Sequence, residues 1–150
     1  MERDRLEDYS VLYWLRSLFS AYPQVTIADG YPDADLVLPS IVVEADEIKE
    51  LPFEQGTREL RTERIWMISV FASNKAQRDD FSSYIRRNLK SQGIPVYDYN
   101  NGFPPSSSPP QIDTLVASDI VSRPIRIFPQ LVEKLYWRNT ITFLTERLGG

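Results

Sequence analysis

The sequence predicts an α+β fold: a mixed, largely antiparallel β-sheet with two helices packed on one face and a projecting arm or hairpin. Three observations predict it. Apolar residues recur at helical spacing in two separate stretches, β-branched runs of strand length lie between and after them, and the last long stretch alternates apolar with polar residues. A chain of 150 residues has the size of one domain with one core, so residues 1–150 are expected to form a single unit.

The first helix is predicted between Leu6 and Tyr22. Val11, Leu12, Leu15, Leu18, Phe19 and Tyr22 recur there at three- and four-residue spacing, and Pro23 sets its end. Asp29-Gly30-Tyr31-Pro32-Asp33 reads as a turn. Ile41–Ala45 is a short β-branched strand behind Pro39. Ile65–Ala72 is a longer strand, apolar on both faces, which places it near the sheet centre. Between these strands, residues 46–64 are rich in charge and hold Pro52 and Gly56, which predicts the arm or long hairpin.

The second helix is predicted from its N-cap. Asn74 stands three residues before Gln77, Ala76, Phe81, Tyr84, Ile85 and Leu89 line one side, and Gly93 marks the stop. Ile94–Tyr99 is a strand candidate. It runs into a loop at about 102–111 with four prolines and three serines in seven consecutive residues, a stiff polyproline-like tract that cannot pair in a sheet. Ile120, Val121, Ile125 and Ile127 mark strand material within 112–128. Leu135–Thr145 then alternates, with Leu135, Trp137, Ile141 and Phe143 against Tyr136, Arg138, Thr140 and Thr142.

Composition narrows the function classes. The net charge of −4 argues against bulk affinity for nucleic-acid phosphates. With no cysteine, disulfides, thiolate metal sites and cysteine nucleophiles are excluded. With no histidine, so are the Ser-His-Asp triad and most zinc sites. The N-terminus lacks the basic and apolar segments of a signal peptide and no stretch is apolar enough to span a bilayer, so the expectation is a soluble protein with no membrane partner.

One pattern points to catalysis. Pro32-Asp33, followed fourteen residues after Asp33 by Glu47-Ile48-Lys49, matches the PD-(D/E)xK arrangement in which two carboxylates hold Mg²⁺ and a lysine steadies the attacking water. Strand Ile41–Ala45 is expected to end before Glu47, so these charges read instead as the base of the arm. Arg58, Arg61 and Arg64 fall at three-residue intervals among Glu59 and Glu63, the pattern of a solvated or interface-pairing segment. Arg86, Arg87 and Lys90 sit in the last turns of the second helix, where cations oppose its dipole. Phe53 and Phe103 stand among prolines, glycines and charges, which makes them candidate anchors for a partner. The candidate interface residues are thus Phe53, Glu54, Arg58, Arg61, Arg64, Phe103, Pro104 and Pro105. No catalytic, cofactor or metal residue is assigned, and the chain reads as no enzyme.

Ile41-Val42-Val43-Glu44, then Phe53-Glu54-Gln55-Gly56, then Arg64 to Asn74 leading into a helix with Arg78 and Asp79, resemble tailed-bacteriophage neck proteins. The likeness is nearest to tail terminators of the lambda type. Asp98-Tyr99-Asn100 and Leu135-Tyr136-Trp137-Arg138 extend it, so that it spans most of residues 8–145. The resemblance implies a virion subunit made in the bacterial host cytoplasm, which forms a homo-oligomeric ring, expected to be a hexamer. That ring caps the tail tube protein and joins it to the head-tail connector or stopper protein. DNA enters only as cargo passing through the lumen, and no cofactor is implied. A connector or stopper role, a generic protein-binding adaptor and the metal-dependent nuclease are the alternatives.

Overall fold

The computed structural model describes residues 2–30, 37–52, 60–105, 107–125 and 137–148. The element order is α1 (Arg3–Leu18), β1 (Thr26–Asp29), β2 (Ser40–Pro52), β3 (Leu60–Ala72), α2 (Lys75–Ser91), β4 (Ile94–Tyr97), β5 (Gln111–Leu115), β6 (Ser118–Ile125) and β7 (Trp137–Leu148). Five strands form a mixed sheet in the order β1-β2-β3-β7-β6, and β4 and β5 pair as a separate ribbon. All pairings are antiparallel except β1 with β2. The fold is α+β.

The core follows from register. Cross-strand partners share a face of the sheet. Ile41 faces Val70, Val43 faces Ile68, Ile68 faces Ile141 and Trp66 faces Phe143. These residues are buried and belong to the same cluster as Val11, Leu12 and Leu15 of α1 and Phe81, Ile85 and Leu89 of α2. Both helices therefore cover one face. Trp66 on the central strand also donates its indole N–H to Thr145 Oγ1 at 3.0 Å, so its polar edge is satisfied inside the core.

α1 is held on two sides. Besides the sheet it meets β4, where the Tyr97 backbone N–H donates to Ser10 Oγ at 3.0 Å while that hydroxyl donates to Leu6 O. The helix stops at Leu18, four residues before the expected Tyr22. The reason is a pair of tight turns, Ser20 N–H to Ser17 O and Tyr22 N–H to Phe19 O. They swing Phe19 onto Phe81 and Tyr84 of α2, each at 5.4 Å between ring centres. Tyr84 Oη then donates to Leu18 O, capping a helix-end carbonyl.

α2 starts as its sequence predicts, with Asn74 Oδ1 accepting from Gln77 N–H and Gln77 Oε1 accepting from Ser73 N–H. Its end differs in cause. Gln92, in an extended conformation, is the C-cap, and Gly93 is not left-handed. A Cβ on Gly93 would stand 2.3 Å from Thr114 Cγ2 and 3.2 Å from Leu115 O, so glycine is required there by close approach of β5.

Two further expectations are corrected. β1 is a strand where only the turn beginning at Asp29 was expected; its four residues pair with Ser40–Val43, and Ile27 packs against the core. β2 does not end at Ala45. A bulge at Asp46 shifts the register, and pairing with β3 continues to Pro52 opposite Leu60. The arm is thus a continuation of the sheet, with β7 paired to β3 as far as Arg61 opposite Leu148. Of the later strand expectations, Ile127, Leu135 and Tyr136 lie outside the described residues.

Candidate functional site

The charged residues of α1 and the sheet build the most enclosed polar site in the described chain. Asp4, Glu7 and Asp8 lie on successive turns of the helix stripe that continues into Val11 and Leu15, so they face the sheet. Opposite them, Arg64 and Thr145 are register partners, as are Thr62 and Arg147. Glu7 Oε1 accepts from Arg64 at 3.0 Å and from Arg147 at 2.8 Å, and Glu7 Oε2 accepts from Arg3 Nε at 3.2 Å. Arg64 also donates to Asp8 at 2.7 Å and to Asp4 O at 3.1 Å, and its guanidinium lies 4.1 Å over the Trp66 ring. Arg3 reaches on to Asp113 of β5. Burial works against the Arg147 charge, but Glu7 and Asp4 outweigh it and hold its pKa above the ordinary value. At Asp113 burial pushes the carboxyl up, while the Thr114 N–H and Arg3 more than offset it and lower its pKa.

This network corrects one candidate. Arg64 is 2% exposed and both its terminal nitrogens are bound within its own chain, so it is no partner-facing residue. Phe103 is partly buried and has ring partners within its own chain. It stacks on Tyr9, with ring centres 4.5 Å apart and planes 5° from parallel, and meets Tyr99 edge-on at 5.1 Å. Its anchor pocket is in its own chain. Arg61 stays partly exposed and pairs with Glu63 at 3.0 Å. Pro104 is exposed and Pro105 half-buried. Phe53, Glu54 and Arg58 lie outside the described residues.

For the carboxylate–lysine pattern, Glu47 and Lys49 do stand on strand β2, both exposed, with Lys49 Nζ 3.7 Å from Glu47 Oε1. Asp33 lies outside the described residues. Asp8, Asp29 and Glu44 line a crevice of about 320 Å³ beside Trp66. Partial burial first, and then the charges of Asp8 and Glu44, raise the Asp29 pKa above 3.8, against a lesser pull from Arg16. Among the described residues no group of three such side chains is placed to hold a metal ion. No described helix is long and apolar enough to cross a membrane.

A second cavity, about 430 Å³, lies between α1 and the Pro/Ser loop, lined by Tyr13, Tyr97, Tyr99, Pro105, Ser108 and Pro109. The loop meets the helix at its base through the stack of Phe103 on Tyr9. The remaining charged feature is on α2, where Arg86, Arg87 and Lys90 line one groove with Ser83 and Ser91.

Sequence reasoning missed the α1 carboxylates, which it read only as the mixed charge of an N-terminus. The signal was present: Asp4, Glu7 and Asp8 extend the three- and four-residue spacing of the buried stripe toward the N-terminus. No family model matches the chain, and no curated protein matches it.

Proposed function

We propose that the chain is a structural subunit of a tailed-phage neck, forming a ring that caps the tail tube and joins it to the head connector. One observation carries the reading. Of the segments that hold the resemblance, Ile41–Glu44 lies on β2, and Arg64–Asn74 runs along β3 to the N-cap of α2, which carries Arg78 and Asp79; β2 and β3 pair as antiparallel neighbours. The two strands are thirteen residues each, more than three times β1, so on the β2 side the hairpin runs well past β1, while β7 accompanies β3 as far as Arg61. A long paired extension of a small subunit suits contact with a neighbouring copy, and a ring requires such head-to-tail contacts.

The arginines of the arm fit the same reading in a different way from the one expected. Arg64 ties β3 of the hairpin to α1, which holds the paired extension rigidly on the domain. The test is the mass of the purified protein by light scattering over a concentration series, alone and mixed with tail tube protein. A closed hexamer in either condition supports the reading. A monomer in both conditions overturns it.

A further inference from the structure

The described chain carries two patches of opposite charge, one on strand β2 and one on helix α2. The first is on β2. Its outer neighbour β1 pairs only as far as Asp29 with Val43, so from Glu44 onward β2 is an open edge among the described residues. That edge carries Asp46, Glu47 and Glu50, all exposed, with Ile48 exposed between them. Lys49 pairs only with Glu47, and no cation lies within ion-pair distance of Asp46 or Glu50 among the described residues.

The other is on α2, which packs chiefly over β7 and β3. Arg86, Arg87 and Lys90 line a groove of about 550 Å³. No described carboxylate is within ion-pair distance of any of the three. Arg86 Nη2 donates to Ser83, its Nε is buried with no acceptor, and Arg87 only flanks the Tyr84 ring at 5.7 Å. Arg3, Arg61, Arg64, Arg78 and Arg147 each pair with a carboxylate of their own chain. Among the described residues, Arg86, Arg87 and Lys90 do not.

We infer that the basic groove of α2 receives the acidic open edge of β2 from a second copy of this chain. The inference rests on the ring reading and names the contact that would close the ring. The contact is heterologous, because the two patches differ, and so it propagates from copy to copy as a ring demands. Carboxylates of a second copy fit better than nucleic-acid phosphates. Affinity for a duplex grows with the number of phosphates neutralised, and here three cations stand on a protein of net charge −4. Steering by opposed charge also raises encounter rates and rejects a wrong orientation. Without a partner, the same acidic row guards the open edge against strand pairing.

The experiment is a charge-reversal cycle on the full chain, read by light scattering and by sedimentation velocity under the condition in which the wild type assembles. Arg86→Glu with Arg87→Glu should weaken self-association by roughly tenfold or more. Asp46→Lys with Glu50→Lys should do the same, and mixing the two variants should restore association. Far-UV circular dichroism checks that each variant is folded, and the restoration on mixing cannot come from misfolded chains. Assembly of either variant at wild-type concentration overturns the inference while leaving the ring reading in place. A wild type that never assembles, with or without tube protein, overturns the ring reading and this contact with it. Binding of a short duplex DNA by the wild type that is lost in Arg86→Glu with Arg87→Glu, without any change in assembly, assigns the groove to phosphates and also overturns the inference.

Discussion

Glu7 and Arg64 are 57 residues apart in the chain and 3.0 Å apart in space, with side chains 1% and 3% exposed. A pair so enclosed has lost its hydration, and what compensates is the number of partners. Arg147 and Arg3 share the same carboxylate, and Asp8 shares the same guanidinium. The network pins the first turns of α1 to the middle of β3 and the end of β7, and through Arg3 to β5.

Glu7→Gln tests this. The amide cannot balance two arginines, so Arg64 and Arg147 become buried charges with only their outer carboxylates left. Breaking a buried pair costs about 3–5 kcal/mol, and the surviving Asp8 and Asp4 contacts place the loss near the lower end. For a chain of this size that corresponds to a fall in Tm of roughly 10 °C, measured by thermal circular dichroism. A loss below about 1 kcal/mol, the range of exposed pairs, would show that the network contributes little.

Asn74→Ala removes the acceptor that holds the Gln77 N–H at the start of α2. N-cap losses are typically about 1 kcal/mol, which here means a Tm lower by roughly 2–4 °C. Asn74→Ser, which keeps a capping oxygen, should recover most of it. Equal losses in both variants would mean that the cap is not what Asn74 supplies.

How legible the fold was depended on whether local pattern or distant partners decided each element. α2 and the inner half of β3 were readable because cap, period and β-branching all agree there, and Trp66, Ile68 and Val70 indeed occupy the sheet centre. β1 was not readable, since Thr26–Asp29 has no alternation and is a strand only because Ser40–Val43 lies beside it. The outer half of β2 was hidden by its charges, which mark an exposed strand edge as easily as a loop. Among the candidate site residues, Arg64 was misread because the repeat of charges around it is that of a solvated segment. Its burial is decided by Glu7, which no window of local sequence contains. The contacts of Phe103 were hidden for the same reason, its stacking partner Tyr9 lying far from it in sequence, on α1.

Phe103→Ala separates an internal anchor from a partner-facing one. The ring is partly buried against Tyr9 and Tyr99, so truncation should cost about 1–2 kcal/mol, below the 3–5 of a fully buried phenylalanine. Urea denaturation measures the loss. Self-association should be unchanged at concentrations where the variant is folded. Unaltered stability together with weakened association would return Phe103 to the partner surface.

Tyr99 gives the fold an alkaline limit. The residue is 2% exposed, and burial, followed by the neighbouring Tyr13 and Tyr97, pushes its hydroxyl from 10.0 up to about 12. The folded state therefore holds the phenolic proton more tightly than the unfolded state does. The stability this contributes is complete below 10.0 and is lost as pH rises through about 12. Tyr99→Phe keeps the ring and removes the proton, so this part of the pH dependence disappears. Urea midpoints for the wild type and the variant, followed from neutral to strongly alkaline buffer, should run parallel at first, and above 10.0 the wild-type midpoint should fall more steeply. The other tyrosines titrate in both proteins, so the difference between the curves isolates Tyr99. Curves that remain parallel throughout would show that the hydroxyl meets solvent in the folded protein, and that the ring cluster of Tyr9, Tyr99 and Phe103 does not seal the end of α1.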